Sequence, residues 1–100
     1  MAFIYRLDSL SATEGRYSFM TESNSFYEVI VSKDKRTLTR YPEMNNNEAK
    51  LRKDNHELII LGEFSIEVGK PAIFRLEPLG IFGDCTIRRT NIVKRISYIH

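Results

Sequence analysis

Apolar and aromatic residues recur along this chain in seven short stretches whose spacing is typical of β-strands. In most stretches apolar and polar residues alternate, as Tyr17 and Phe19 do with Arg16 and Ser18, so that one face of each strand can be buried. No stretch has the periodicity of a convincing amphipathic helix. The predicted strands are residues 2–7, 16–21, 26–32, 37–41, 57–68, 72–77 and 86–99.

Turn-forming and charged residues separate the predicted strands. Residues 8–15 are small and polar, residues 33–36 form a charged hairpin tip, and residues 69–71 form a Gly-Lys-Pro turn. Gly62 divides the fifth stretch and predicts a bulge or bend there. The polar segment 43–56 is expected to be a mobile loop with at most one short helix.

These elements predict a single all-β domain over residues 1–100. We expect an SH3-like or related small barrel or sandwich of five to seven antiparallel strands, closed by the last strand. Within that strand the step from Ile87 to Ile92 breaks the alternation, which predicts a kink near Thr90, such as one turn of 3₁₀ helix. The residues expected to be buried there are Ile87, Ile92, Val93, Ile96 and Ile99.

Net charge, cysteine count and the length of the apolar stretches limit the classes of protein that fit this sequence. Fifteen Lys and Arg against thirteen Asp and Glu give a net charge of +2, far from the strongly basic balance of a dedicated nucleic-acid binder. A lone cysteine, Cys85, cannot form an internal disulfide and favours a cytoplasmic location. We expect no signal peptide, because Arg6 and Asp8 leave no sufficiently long apolar core at the N-terminus. We also expect no insertion into a membrane, because no apolar stretch approaches about 20 residues.

Three phrases of the sequence carry a resemblance. They span residues 21–29, 68–76 and 89–96: a Thr/Ser-rich turn before a Tyr-bearing strand, a Gly-Lys-Pro turn before a later strand, and a closing Thr-Asn-Ile-Val stretch. In order and spacing they resemble short, uncharacterised bacterial and phage proteins of the small SH3-like β-barrel kind. The resemblance implies the fold and transfers no activity.

Basic residues cluster near the C-terminus. Four cations lie within eight residues that contain no acid, and two further cations lie on the preceding turn and strand. Such a cluster can form a surface that binds an anion or an acidic partner. Alternatively, these cations are solvated, or acids on neighbouring strands neutralise them, and they serve to prevent unwanted edge pairing. The cations are Lys70, Arg75, Arg88, Arg89, Lys94 and Arg95.

An apolar pair, Ile81 and Phe82, lies between two glycines in a predicted loop. It either folds under the barrel as a plug or projects as an anchor for a partner. The other aromatic residues are expected to form the core rather than a platform for stacking nucleic-acid bases, because adjacent cations and rings on a strand face opposite ways.

Enzymatic chemistry finds little support in the sequence. Cys85 and His56 form the only Cys-His combination other than one with the terminal His100, and no residue that would orient the imidazole is evident. Their spacing is not that of metal ligands, and no glycine-rich phosphate-binding motif is present. We therefore expect no catalytic residue, metal or cofactor.

The sequence thus predicts a small, non-enzymatic binding or adaptor module of bacterial or phage type, acting through the basic strand and the loop of Ile81 and Phe82. A protein partner is expected first, and a homodimer formed through an edge strand in residues 57–68 is an alternative. The alternative function is binding of nucleic acid or a phosphorylated nucleotide, for instance by a phage-encoded inhibitor of a host factor.

Overall fold

The computed structural model describes residues 2–41, 56–78 and 83–99, with side chains from residue 4 onward, and within them it contains strands and no helix. The all-β prediction is therefore confirmed. The strands are β1 (Ala2–Ile4), β2 (Arg6–Asp8), β3 (Gly15–Thr21), β4 (Phe26–Val31), β5 (Arg36–Tyr41), β6 (Leu58–Ile59), β7 (Ser65–Glu67), β8 (Pro71–Leu76) and β9 (Thr86–Tyr98). Apart from exposed His56, the predicted polar loop 43–56 lies outside the described residues.

Seven strands form one antiparallel sheet that nearly closes into a barrel. Its order is β1-β9-β3-β4-β5-β6, and β8 pairs with the N-terminal half of β9. The remaining strands, β2 and β7, pair with each other in a two-stranded sheet. The 13-residue strand β9 therefore pairs with three other strands, β1, β3 and β8.

The core is built from the alternation seen in the sequence. Tyr17 and Phe19 of β3 are buried, as are Tyr27 and Val29 of β4. The Phe19 ring stacks on Tyr27 with a centroid distance of 4.7 Å and lies 6.0 Å from the ring of Phe74 on β8. These rings are therefore core residues, which agrees with the expectation that they do not form an exposed stacking platform.

The first predicted strand is two strands. Residues 2–7 were expected to be continuous, but β1 pairs with β9 while β2 pairs with β7 in the other sheet. Tyr5 lies between them, 69 % exposed, and its carbonyl oxygen accepts a hydrogen bond from Val68 N at 3.0 Å. The chain changes sheets at Tyr5, so a stretch that looks uniform in sequence serves two sheets.

The segment 57–68 bends at Gly62, as predicted. Gly62 has a φ of +73°, a conformation that is strained for residues with a side chain. Before the bend, Ile60 N donates to Arg36 O, and Leu61 N donates to Arg75 O, so residues 60 and 61 are hydrogen-bonded on opposite sides. Both edges of this part of the segment are thus occupied, and it does not offer the free edge through which we expected a second copy to pair.

An irregularity near Thr90 is present in β9, as a β-bulge rather than a 3₁₀ turn. Pro71 pairs with Ile92 and Ile73 pairs with Arg89, so β9 uses one more residue than β8 over this interval. The Thr90 hydroxyl fills the gap in the ladder by accepting a hydrogen bond from Ala72 N at 3.0 Å. A second register shift, where Thr21 pairs with Val93 and Met20 with Arg95, leaves Lys94 as another extra residue.

The first bulge reverses the expected burial at the start of β9. Ile87 was expected to be buried, but it is 62 % exposed, whereas Arg88 is only 7 % exposed. Val93 and Ile96 are buried as predicted, and Ile92 and Ile99 are half-buried. Arg88 and Thr90 face inward before the first bulge, Val93 faces inward between the two bulges, and Ile96 faces inward after the second, so each extra residue changes the alternation once and the second restores the original phase.

The loop after β2 is organised by one aspartate. Asp8 Oδ1 accepts hydrogen bonds from Leu10 N at 3.2 Å, from Ser11 N at 3.0 Å and from Ser11 Oγ at 2.9 Å. The Ser11 hydroxyl above all, then the Ser11 amide and the nearby Arg6 guanidinium, lower the pKa of Asp8. The carboxylate therefore fastens the turn in its ionised form.

Protonation of Asp8 is expected to weaken the fold at acidic pH. Because the pKa is lower in the folded than in the unfolded chain, the carboxylate adds stability above the ordinary aspartate pKa of about 4. That contribution is lost as the pH falls through the lowered folded value. Urea denaturation from pH 7 to pH 2 should show the stability difference between wild type and Asp8→Asn shrinking below about pH 4. A difference that stays constant over this range would show that ionised Asp8 does not stabilise the turn.

Candidate interaction surface

The outer surface of the β8–β9 pair combines exposed isoleucines with arginines. Ile73 lies opposite Arg89 and Arg75 lies opposite Ile87, and all four side chains point away from the core. Directly opposed residues on one face of a sheet have Cβ atoms about 5 Å apart, so the four side chains form one continuous checkerboard. We call these four residues the outer β8–β9 face.

The strand pattern explains why these side chains face outward. Ala72, Phe74 and Leu76 are each 0 % exposed, so the alternation places Ile73 and Arg75 on the opposite side of β8. Across the ladder, inward-facing Arg88 opposes Phe74, which turns Ile87 and Arg89 outward. The outer β8–β9 face is therefore fixed by the packing of the core behind it.

The apolar part of the face is unusually exposed. Ile73 is 56 % exposed and Ile87 is 62 % exposed. The face continues onto the chain beside β8, because Ile59, 41 % exposed, lies next to Glu77 and Leu61 lies next to Arg75 through backbone hydrogen bonds. Contiguous exposed apolar side chains on a sheet mark surfaces that contact other molecules.

The two arginines of the face are uncompensated within the part of the chain that the structure describes. Neither the Arg75 nor the Arg89 guanidinium donates to a carboxylate or another acceptor there. Four acids, Glu28, Glu63, Glu67 and Glu77, were expected to neutralise the cluster. Glu67 does pair with one of its members, Lys70, but Glu28 binds Arg16, Glu77 accepts from Ile59 N, and Glu63 makes no ion pair among the described residues. The face therefore carries two positive charges beside its two isoleucines.

The other predicted cations lie elsewhere. Lys70 pairs with Glu67 at 3.3 Å in the turn before β8. Lys94 and Arg95 are both exposed at the second bulge, where Lys94 Nζ donates to Asn24 Oδ1 at 3.2 Å. The structure thus brings together Arg75 and Arg89 of the predicted set, and places Lys94 and Arg95 as a separate pair.

Two further predictions have different outcomes. Arg88 was grouped with the partner-binding cations, but its side chain points inward and is buried, so it lies behind the outer β8–β9 face rather than on it. Ile81 and Phe82 lie outside the described residues. The part of the prediction that concerns their loop therefore stays a prediction.

Sequence reasoning missed both isoleucines of the face. Ile73 could have been found, because Ala72, Phe74 and Leu76 form an apolar series of period two that excludes it. Ile87 had no such local signal, since its orientation depends on the bulge at Thr90 and on pairing with β8. Exposed apolar residues are found by sequence only where the neighbouring alternation is unbroken.

Comparison with known proteins adds no assignment: no family model, curated protein or solved structure matches this chain. Within the described ranges, His, Cys, Asp and Glu side chains nowhere gather in a group of three suited to a metal ion. The same residues include no helix of the length and apolarity needed to cross a membrane. The outer β8–β9 face is therefore identified as a candidate interaction surface by the exposure, charge and pairing of its own four residues.

Proposed function

We propose that this protein is a non-enzymatic binding module that engages a protein partner through the outer β8–β9 face. The observation that supports this most strongly is the alternation of two isoleucines, each more than half exposed, with two arginines that have no acidic partner among the described residues. Protein interfaces combine buried apolar side chains with arginine in this way. The lone cysteine supports placing the module in the cytoplasm.

The chemistry of the face favours a partner that is acidic and apolar together. Burial of Ile73 and Ile87 requires apolar side chains opposite them, and burial of the two guanidinium groups requires carboxylates close by. A second copy of this chain fits poorly, because a two-fold contact through this face would bring the arginines of both copies into one interface, and the four residues of the face supply no carboxylate to compensate them. The proposed partner therefore presents Asp or Glu residues interspersed with aliphatic ones.

Nucleic-acid or nucleotide binding is the second candidate function, supported by the two neighbouring guanidiniums. Phosphate groups suit arginine forks as well as carboxylates do. The described aromatic rings with substantial exposure, Tyr5 and Tyr41, lie on other strands or connections, so the face offers isoleucine where a base would need a ring for stacking. The protein-binding proposal therefore explains more of the face.

Selection from a peptide library displayed on phage tests the proposal without a known partner. Wild-type protein should enrich peptides that combine Asp or Glu with aliphatic residues. Synthetic versions of these peptides should lose affinity at least tenfold for the Ile73→Ser/Ile87→Ser variant and for the Arg75→Ser/Arg89→Ser variant, because each pair supplies half of the contact. Fluorescence anisotropy measures both affinities.

A matched control distinguishes binding at this face from nonspecific binding to exposed apolar side chains. Leu10→Ser removes an apolar side chain that is 79 % exposed in the loop after β2, outside the four residues of the face, and it should leave peptide affinity unchanged. Enriched peptides without acidic residues, or peptides that bind all variants equally, would contradict the proposal. A labelled single-stranded oligonucleotide that binds with steep salt dependence, where the peptides do not bind, would favour the second function instead.

A further inference from the structure

The backbone of β8 forms hydrogen bonds on both of its sides. In an antiparallel sheet, the N–H and C=O groups of successive residues point alternately to one neighbouring strand and to the other. Arg75 O accepts a hydrogen bond from Leu61 N at 2.7 Å, so the backbone groups of Arg75 point away from β9. Those of the adjacent residues, Phe74 and Leu76, therefore point to β9. Both edges of β8 are occupied, and a partner cannot add a strand there.

The first half of β9 forms strand hydrogen bonds on one side only. The backbone groups of Thr86 and Arg88 complete the ladder with β8, because the two residues of β8 that point to β9 lie opposite them. The backbone groups of Ile87 and Arg89 therefore point to the opposite side. Among the residues that the structure describes, neither has a backbone hydrogen-bond partner there. We call these two residues, with their two N–H and two C=O groups, the β9 edge.

The neighbouring strand on that side, β3, ends before it reaches the β9 edge. β3 pairs with the second half of β9, and a hydrogen bond of 2.9 Å from Glu22 N to Ile92 O ends this pairing. The chain then turns at Asn24 into β4. In the described ranges no other strand pairs with residues 86–91 on this side. Unpaired backbone groups at a sheet edge can pair with another chain, so a strand from a second molecule could continue the line of β3.

The two residues of the β9 edge also belong to the outer β8–β9 face, where their side chains are exposed. In an added strand, the residues opposite Ile87 and Arg89 would be two positions apart, and their side chains would point to this same outer face. Cross-strand pairs are favourable between two aliphatic side chains and between opposite charges. The β9 edge therefore favours a segment with an aliphatic residue opposite Ile87 and a carboxylate opposite Arg89.

Building on the proposed function, we infer that the protein partner binds as an extended segment, which adds one antiparallel strand at the β9 edge. Its backbone exchanges hydrogen bonds with the N–H and C=O groups of Ile87 and Arg89. Its alternate side chains, one aliphatic and one acidic, extend the outer β8–β9 face. A helix laid across the face would leave the backbone groups of the β9 edge bonded to water, so an extended segment satisfies more of the groups present.

Amide hydrogen exchange of the free protein, followed by ¹H–¹⁵N NMR, tests the β9 edge without a partner. The amides of Ile87 and Arg89 should exchange at least about 100-fold faster than that of Arg88, which is bonded to β8. Equal protection of all three amides would overturn the inference, because the edge would already be occupied. Protection of Ile87 and Arg89 that increases with protein concentration would also overturn it, because a second copy would then fill the edge.

The peptide most enriched in the phage selection then reports the conformation of the bound segment. At saturation, exchange of the Ile87 and Arg89 amides should slow at least about tenfold, while that of Lys33, exposed at the tip between β4 and β5, should not change. Methylating the peptide's backbone nitrogens one at a time should weaken binding at least about tenfold at every second residue of the paired part, because alternate N–H groups donate to β9.

The binding surface and the conformation of the partner can fail separately. If both double variants of the outer β8–β9 face lose affinity but the Ile87 and Arg89 amides stay unprotected, the face binds the peptide and the added strand is overturned. Weakening by N-methylation at consecutive peptide residues would likewise overturn it, since a helix has no period of two. If the selection enriches no peptide with acidic and aliphatic residues, the proposed function fails, and the inference about the β9 edge fails with it.

Discussion

Phe74→Ala is expected to lower the free energy of unfolding by about 3–5 kcal/mol, the usual cost of removing a buried aromatic ring. Phe74 is 0 % exposed, and its ring centroid lies 6.0 Å from that of Phe19 and 5.9 Å from that of Phe64. Its loss would leave a cavity between β3, β8 and the chain before β7. Since single domains are stable by about 5–15 kcal/mol, this one substitution removes a large share of the total.

The neighbouring residue provides the control. Ile73→Ala changes a side chain of the same strand that is 56 % exposed on the outer face, and it should cost less than about 1 kcal/mol. Urea denaturation of the two variants and wild type, monitored by circular dichroism, gives both values. Comparable losses for the two variants would mean that β8 does not bury Phe74 while exposing Ile73.

The contrast between Phe74 and Ile73 shows what local sequence patterns determine. Ala72, Phe74 and Leu76 recur with a period of two, and this alternation alone predicts which face of the strand is buried. The same holds for Tyr17 with Phe19 on β3. The all-β class and the barrel-like sheet could therefore be predicted from residues close together in the chain.

Other features depend on residues far apart in the chain. A kink near Thr90 was predicted, but its form as a bulge rather than a 3₁₀ turn depends on pairing with β8 and on a hydrogen bond from Ala72 N to the Thr90 hydroxyl, and nothing near Thr90 in the sequence specifies that partner. The change of sheet at Tyr5 likewise follows from the pairing of β1 with β9 and of β2 with β7. Strand pairing sets these features, so alternation within one strand cannot predict them.

The candidate surfaces follow the same division. The basic cluster was visible in the sequence, but which cations share a face depends on the register of β9 against β8, and Arg75 meets Ile87 and not its sequence neighbours. The pairing of Ser18 with Ser97 likewise joins strands that are far apart in the chain, and no sequence motif predicts it. The charged residues can therefore be identified from the sequence, whereas the register of the strands determines which of them share a face.

The start of β9 offers the sharpest test of that register, because the structure reverses the expected roles of two adjacent residues. Arg88→Ala is expected to cost about 2 kcal/mol or more, since the side chain is 7 % exposed and its aliphatic stem packs inside the sheet opposite Phe74. Ile87→Ala should cost less than about 1 kcal/mol, because Ile87 is 62 % exposed. Chemical denaturation at neutral pH measures both.

Two further variants show whether burial of Arg88 is the cause. Arg89→Ala removes the same type of side chain one residue later, on the exposed side of the strand, and should be nearly neutral. Arg88→Met keeps most of the buried volume without the charge, so it should recover part of the stability lost in Arg88→Ala if stem packing contributes. If Ile87→Ala proves more destabilising than Arg88→Ala, this part of the strand has the opposite phase. Ile87 and Arg89 would then point into the core, and the outer β8–β9 face, on which the proposed protein partner docks, would not exist.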